Sequence, residues 1–139
     1  MAMNKIYAVI DTNVIVSALL GKNSKSSPSI VYEAVLDGTI TPVYNEEILN
    51  EYRDVLSRRN KFPFHEEDAD NVVNLVIRTG LKLGRTTTFE GVFPDPKDVV
   101  FYEVTLSKDD AYLVTGNIKH FPKKPFVVTP AEMVAILGL

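Results

Sequence analysis

The sequence predicts an α/β fold with a central parallel β-sheet, and two observations support this prediction. Short apolar runs, which are typical of buried strands, alternate with longer segments in which apolar side chains recur at helical spacing. These runs cover residues 5–10, 40–44, 111–114 and 126–128. The first and third end abruptly in the polar triplets Asp11-Thr12-Asn13 and Thr115-Gly116-Asn117, as buried strands do at the edge of a parallel sheet.

Helices are predicted where apolar side chains recur every three or four residues. They cover residues 14–20, 28–36, 46–59, 66–79, 95–106 and a final segment that begins at 130. Thr12 or Asn13 can cap the first helix. Asp95 precedes a proline and the acid Asp98, which together are typical of a helix start. The stretch 80–91 is predicted to be irregular with one short strand.

Composition restricts the class of protein. The 139 residues carry 18 acidic and 15 basic side chains, and the formal net charge of −3 does not favour simple electrostatic binding of nucleic acid. The absence of cysteine excludes disulfides, thiolate zinc sites and a cysteine nucleophile, and agrees with a reducing cytosol. The longest uncharged stretch, residues 12–21, is too short to span a membrane, and Asp11 interrupts the apolar run before it could form a signal peptide. We therefore expect a single domain over residues 1–139, soluble and cytoplasmic, with no membrane attachment.

Candidate functional residues follow the predicted strands, because ligands of open parallel sheets bind beyond the carboxyl ends of the strands. Asp11 comes directly after the first apolar run, and Thr115 and Asn117 follow a later one. A capping role alone does not explain an acid at position 11, since Thr12 and Asn13 could cap the helix equally well. A cap or turn former nevertheless remains the alternative explanation for Asp11.

Other candidate acids lie on predicted helices. Glu51 borders the apolar stripe of the helix over 46–59, although a solvated helix face explains it as well. Asp95 is best explained as a helix cap. Asp98, one turn further on, could complete the cap or face a metal ion, and sequence spacing does not separate these roles.

Four segments of the chain form a recognisable series. They are 8–14 (AVIDTNV), 46–56 (EEILNEYRDVL), 95–98 (DPKD), and 110–117 followed by 119–121 (DAYLVTGN, KHF). In this order they resemble the PIN-domain nucleases, and most closely the branch described as toxin components of bacterial type II toxin–antitoxin pairs. The resemblance extends over essentially the whole chain. It implies a three-layer α/β/α sandwich with a central parallel sheet and an acidic pocket that holds Mg²⁺ or Mn²⁺.

The resemblance also implies the roles of individual residues. The residues implied as catalytic are Asp11, Glu51, Asp98 and Asn117, of which the three carboxylates would hold the metal. Asn117 stands where the family usually has a fourth acid, and the lost negative charge would weaken a second metal site. Residues implied to orient the ligands or the scissile phosphate, or to serve as an auxiliary acid, are Asn13, Asp95 and Thr115.

Basic side chains could steer or grip an RNA backbone. The candidates are Lys22, Lys25, Arg53, Arg58, Arg59, Lys97, Lys119, His120, Lys123 and Lys124. Among them we favour Lys119 and His120, which follow Asn117 closely, together with Arg53.

The implied function is a metal-dependent endoribonuclease that hydrolyses phosphodiester bonds of single-stranded or structured RNA and is the toxin of a toxin–antitoxin pair. Its expected partners are RNA, a cognate antitoxin protein and a second copy of the chain in a homodimer. Two alternatives remain open. One is a PIN-like module that binds RNA or protein with weakened or lost catalysis, as Asn117 suggests. The other is an aspartyl-phosphate phosphotransferase with Asp11 as nucleophile, against which stands Asn13 where such enzymes need a second aspartate.

Overall fold

A central parallel sheet organises the protein. The structure, a computed structural model, describes residues 5–21, 24–58 and 60–139. In this part of the chain the strands are β1 (Ile6–Ile10), β2 (Ile40–Tyr44), β3 (Leu81–Lys82), β4 (Tyr112–Val114) and β5 (Val127–Val128). They form one sheet in the order β3-β2-β1-β4-β5, and every neighbouring pair is parallel. The predicted parallel α/β fold is therefore confirmed.

Helices cover both faces of this sheet. They are α1 (Thr12–Leu20), α2 (Ser27–Leu36), α3 (Glu46–Leu56), α4 (Glu66–Thr79), α5 (Val99–Leu106) and α6 (Pro130–Leu137). The consecutive β1 residues Ala8, Val9 and Ile10 are all buried. Since successive side chains of a strand point to opposite faces, both faces of the sheet must be covered. In this α/β/α arrangement α2 and α4 pack on β2, α5 packs on β1 and β4, and α2 also contacts α1 and α6.

Sequence patterns located most elements within a few residues. The structure has β2 and α4 with the predicted bounds, and the short strand predicted within 80–91 is β3. The segment 95–106 is not one continuous α-helix, because a 3-10 turn (Pro96–Asp98) precedes α5. None of the described helices has both the length and the apolar character that crossing a bilayer requires.

The start of α1 differs from the prediction. Thr12 and Asn13 lie inside the helix, and Asp11 occupies the N-cap position with an extended backbone, but its side chain makes no capping hydrogen bond. The predicted cap by Thr12 or Asn13 is therefore wrong. The physical reason is that Asn13 and Asp11 bond to each other and to the residues after β4 instead.

Candidate active site

Four of the predicted site residues, Asp11, Asn13, Thr115 and Asn117, lie together at the carboxyl ends of β1 and β4. The chain runs from β1 through β2 to β3 on one side of the sheet, and β4 and β5 lie on the other side. The order of strands therefore reverses between β1 and β4, and ligands of open α/β sheets bind at such a reversal. The backbone N–H of Asp11 donates to the carbonyl of Val114 at 2.9 Å, which holds Asp11 against the end of β4.

The Asp11 carboxylate is buried and held by two side chains. Its Oδ2 accepts hydrogen bonds from Thr115 Oγ1 at 2.7 Å and from Asn13 Nδ2 at 3.1 Å. Asn13 in turn accepts from the backbone N–H of Gly116 at 3.0 Å, and Thr115 Oγ1 accepts from the backbone N–H of Asn117, also at 3.0 Å. The structure thus brings Asn13 and Thr115 to Asp11, and it fixes the backbone of Asn117 beside them. The Asn117 residue itself is exposed.

Three carboxylates share this electrostatic environment. Burial, with smaller contributions from the charges of Asp98 and Glu51, raises the pKa of Asp11 to about 6 against the hydrogen bond from Thr115. Burial also raises the pKa of Glu51, with a contribution from Asp54 and a smaller one from Asp98, and nearby basic side chains oppose this shift. Asp11 follows β1, Glu51 lies on α3 and Asp98 ends the 3-10 turn before α5. Carboxylates from separate elements therefore repel one another across one site.

The site has the donor chemistry of a hard-cation site without being closed around an ion. Within the described ranges, no group of three Asp, Glu, His or Cys side chains is placed to hold a metal ion as it stands. Carboxylate oxygens are nevertheless the ligands that Mg²⁺ and Mn²⁺ prefer. No described lysine or arginine forms an ion pair with Asp11, Glu51 or Asp98. A divalent cation would also offset the repulsion that adds to burial in raising the pKa of Asp11 and Glu51. The donor set therefore fits such an ion.

Asp98 faces a histidine, and Asp95 caps the turn. His120 Nδ1 lies 3.5 Å from Asp98 Oδ2. Burial and the charge of Asp95 raise the pKa of Asp98, and His120 opposes this shift. Asp95 Oδ1 accepts from the backbone N–H of Lys97 at 3.0 Å, so Asp95 is engaged as the cap of the 3-10 turn. The side chain of Asp98 makes no capping bond at the start of α5.

The basic candidates differ in their exposure and in whether they pair with an acid. Lys119 and His120 lie on an exposed 3-10 turn (Ile118–His120) directly after Asn117. Lys119, Lys123 and Lys124 line a groove of about 380 Å³. Arg58 is paired with Asp54 on α3, and Arg53, Lys25 and Lys97 are exposed. The candidates Lys22 and Arg59 lie outside the described residues.

Sequence reasoning overlooked several polar contacts around these acids. The hydroxyl of buried Tyr52 donates to the carbonyl of Ile10 at 2.6 Å, next to Asp11. Burial, with a smaller contribution from Asp11, raises the pKa of Tyr52. Helical spacing identified Tyr52 as a core residue, but it carries no information about a partner 42 positions away. The sequence does mark Glu103 as unusual, because it is the one charged residue in α5, whose other residues are apolar or neutral.

We expect Tyr52→Phe to lower the free energy of unfolding by about 1 kcal/mol, because it removes one buried hydrogen bond and leaves the Ile10 carbonyl without this donor. Urea unfolding would measure the loss. Tyr112→Phe is the matched control, since Tyr112 is only partly buried and no described group bonds its hydroxyl. Equal stability of the Tyr52→Phe variant and the unmodified protein would show that this hydrogen bond contributes nothing to the end of β1.

Comparison with known protein families agrees with this geometry. A family model described as PIN domain matches residues 7–119, which is more than half of the chain. The matched range contains Asp11, Glu51, Asp98 and Asn117. A comparison with curated proteins gives no match.

Proposed function

This chain belongs to the PIN domain family, and from this premise we propose that it is a Mg²⁺- or Mn²⁺-dependent endoribonuclease. Its substrate is single-stranded or structured RNA, whose phosphodiester bonds it hydrolyses. The observation that carries the proposal is that the charges of Glu51 and Asp98, which come from separate elements, act on the buried Asp11 at the end of the central strand and add to its raised pKa. Neighbouring carboxylates without a lysine or arginine partner are costly unless a cation offsets them.

Each residue has a distinct role in this proposal. Asp11, Glu51 and Asp98 would hold the cation, which when bound activates water near neutral pH and stabilises charge on the leaving oxygen. Thr115 and Asn13 hold the Asp11 carboxylate in one orientation through the bonds described above. Such supporting bonds typically change metal affinity or activity 10- to 100-fold. Asn117 is proposed to offer an amide oxygen to the cation, His120 to contact the scissile phosphate, and Asp95 to serve as an auxiliary acid.

Metal removal tests this proposal directly. Cleavage of a labelled single-stranded RNA should stop when EDTA is added and return when Mg²⁺ or Mn²⁺ is supplied in excess. Asp11→Asn should not cleave under any of these conditions, and Asp109→Asn is its matched control, because it makes the same chemical change at an exposed turn away from the site. Cleavage that continues unchanged in EDTA would contradict the metal-dependent mechanism. RNA binding without cleavage in either metal would favour the alternative of a binding module.

The groove beside Asn117 is proposed to bind the RNA backbone. Lys119, Lys123 and Lys124 line it, and none of them forms an ion pair within the described part of the chain. In contrast, Lys82 and Lys108 are each paired with an acid. Unpaired cations that converge on one groove match the charge of a nucleic-acid strand.

We expect the double variant Lys123→Gln/Lys124→Gln to bind single-stranded RNA about 25-fold more weakly near 0.1 M salt, since each lost phosphate contact removes about 0.7 from the slope of log affinity against log salt. Fluorescence anisotropy in EDTA would measure binding without cleavage. Lys61→Gln/Arg78→Gln is the matched control, because it removes the same charge from exposed positions elsewhere. Equal losses in the two double variants would show that net charge matters and the groove does not.

We further propose that the protein is the toxin of a bacterial type II toxin–antitoxin pair, on the resemblance of its motifs to that branch. Residues 1–139 would form a single cytoplasmic domain that assembles as a homodimer and binds a cognate antitoxin. Leu20 on α1 and Leu36 on α2 line one groove, and their apolar side chains are exposed. An exposed apolar surface of this kind supports a protein partner. Light scattering of the purified protein tests the dimer, and a gene for a small DNA-binding protein next to this one would support the antitoxin.

A further inference from the structure

One arginine links the two helical segments that carry candidate carboxylates. Arg85 Nη1 donates to both carboxylate oxygens of Glu47, at 3.1 and 2.9 Å. Its Nε donates to Glu103 Oε1 at 2.8 Å, and Nη2 bonds to the same oxygen. Glu47 lies on α3, one turn before Glu51, and Glu103 lies on α5, which begins directly after Asp98. Arg85 therefore joins α3 to α5 by way of their acids.

The α5 side of this link is rigid. Glu103 is buried, and its second oxygen accepts from the backbone N–H of Phe89 at 2.6 Å. Burial opposes ionisation of Glu103, but the bonds from Phe89 and Arg85 prevail and hold its pKa below the ordinary value. A guanidinium presents its donors in a fixed planar fork, so two bonds to one carboxylate and two to another restrict the angle between them.

Apolar packing by itself would hold the two helices less specifically. The described ring contact between them is that of Tyr52 with Phe101, whose centroids are 6.5 Å apart. Such contacts favour close approach, but they are non-directional and tolerate small shifts along and around the helices. The charged bonds to Arg85 are directional and restrict such shifts.

We propose that Arg85 is a positioning residue that sets the separation of the Glu51 and Asp98 carboxylates. The inference rests on the proposed function only in that these carboxylates are taken as metal ligands. Arg85 does not touch the site itself. It acts through Glu47 and Glu103, and its removal leaves the helices packed but their acids less well aligned.

Binding of Mn²⁺ alone separates positioning from electrostatics, because the two effects have opposite signs. Loss of a positive charge near acidic ligands should by itself tighten binding of a cation. Misaligned ligands should weaken it. Loss of a bond to a ligand itself costs about 10- to 100-fold, and we take the lower end for a residue that acts through Glu47 and Glu103. We expect Arg85→Gln to bind Mn²⁺ about tenfold more weakly by calorimetry, well below its melting temperature. Binding as tight as in the unmodified protein, or tighter, would overturn the proposal.

Lys82→Gln is the matched control for this experiment. Lys82 Nζ pairs with Glu46 Oε1 at 2.8 Å, so the control also removes one cation bound to the first turn of α3. This ion pair joins α3 to β3 and does not reach α5. We expect the Mn²⁺ affinity of Lys82→Gln to stay within about twofold of the unmodified protein, the limit for a screened surface charge.

A milder pair of variants covers the case in which Arg85→Gln does not fold. Glu47→Gln removes the charge and one of the two acceptor oxygens on the exposed α3 side of the link, and it keeps the buried bond between Arg85 and Glu103. Its control is Glu46→Gln, which loses the same charge from the neighbouring position of α3. We expect weaker Mn²⁺ binding in Glu47→Gln than in Glu46→Gln, and equal binding would overturn the proposal.

A metal-free measurement makes the inference independent of catalysis. The chain has no cysteine, so Asn50→Cys on α3 and Lys97→Cys before α5, both exposed, can each carry a spin label. The distribution of distances between the labels should broaden with Arg85→Gln and stay unchanged with Lys82→Gln. An unchanged distribution in both would overturn the inference. Broadening in a protein that binds no Mn²⁺ would support the role of Arg85 and contradict the proposed metal centre.

Discussion

Asp11→Asn is expected to abolish metal-dependent RNA cleavage, with a loss of about a thousandfold or more. The substitution removes a charged ligand from a site whose cation is asked to supply several kcal/mol of transition-state stabilisation. It keeps the shape of the side chain, and the amide oxygen can still accept the bonds from Thr115 and Asn13. A cleavage assay with Mg²⁺ or Mn²⁺ in excess would measure the loss. Full activity of this variant would contradict the role proposed for Asp11.

The same variant should be more stable than the unmodified protein at neutral pH. The pKa of Asp11 is about 6 in the folded protein, against an ordinary value of 3.8. The folded state therefore holds this proton more strongly than the unfolded state, so folding loses stability as the pH rises from about 4 to 6. A difference of about two pH units corresponds to at most about 3 kcal/mol. Asparagine does not ionise and escapes this loss.

Urea unfolding in EDTA tests the sign of this effect. The difference in stability between Asp11→Asn and the unmodified protein should be largest above pH 6 and should shrink towards pH 4. Asp98→Asn should also lose cleavage but gain less stability, because Asp98 is more exposed to water, with 18% of its side chain accessible. Asp109→Asn, in an exposed turn, should show neither change. A stability gain that does not depend on pH would show that burial of the Asp11 charge is not its cause.

Glu103→Ala is expected to lower the free energy of unfolding by about 3 kcal/mol. The change leaves the backbone N–H of Phe89 without its acceptor and removes the buried partner of Arg85. Loss of bonds to a charged group costs about 1.5–3 kcal/mol. Breaking a buried pair costs about 3–5 kcal/mol. The estimate for Glu103→Ala stays at the lower end of this range, because the side chain of Arg85 is 34% exposed and water partly replaces its partner.

Chemical unfolding of Glu103→Ala would give this value, with Glu33→Ala on the exposed face of α2 as the matched control. The control should change stability by less than about 0.5 kcal/mol. The pKa of Glu103 is lowered on folding, so its ionised form contributes stability above the ordinary value of 4.5. That contribution is lost as the pH falls through the folded pKa, and the deficit of Glu103→Ala should narrow there. A deficit that is constant with pH would indicate lost packing and not a lost charged contact.

Several features of the fold follow from local patterns in the sequence. Strand β2 and helix α4 have the predicted bounds because burial on a sheet or on one helix face selects apolar residues at a spacing that can be read directly. The cap of α1 could not be read in this way. Asn13 and Thr12 have good capping side chains, but contacts to residues more than 100 positions away decide how Asn13 is used. Capping propensity is therefore a weak guide where long-range bonds compete.

The candidate site likewise combines residues that the sequence identifies with residues that it does not. Asp11 was identifiable because a carboxylate directly after an apolar strand has few structural explanations, whereas Glu51 and Asp98 were assigned by resemblance to a family. The sequence did not decide whether the Asp98 side chain caps the helix or faces a metal ion. In the structure this side chain makes no capping bond and faces His120. Arg85 left no signal, since an arginine in an irregular segment is unremarkable until its partners are known.

The sequence by itself determined the parallel α/β fold, the location of Asp11 at the edge of the sheet and the absence of thiol chemistry. These properties depend on residue type and on spacing along the chain, and both can be read directly from the sequence. The tertiary structure alone decided which polar groups meet: Thr115 with Asp11, Tyr52 with Ile10, and Arg85 with Glu47 and Glu103. Hydrogen bonds and ion pairs act over a few ångströms, so only the packing of distant segments determines which of them form.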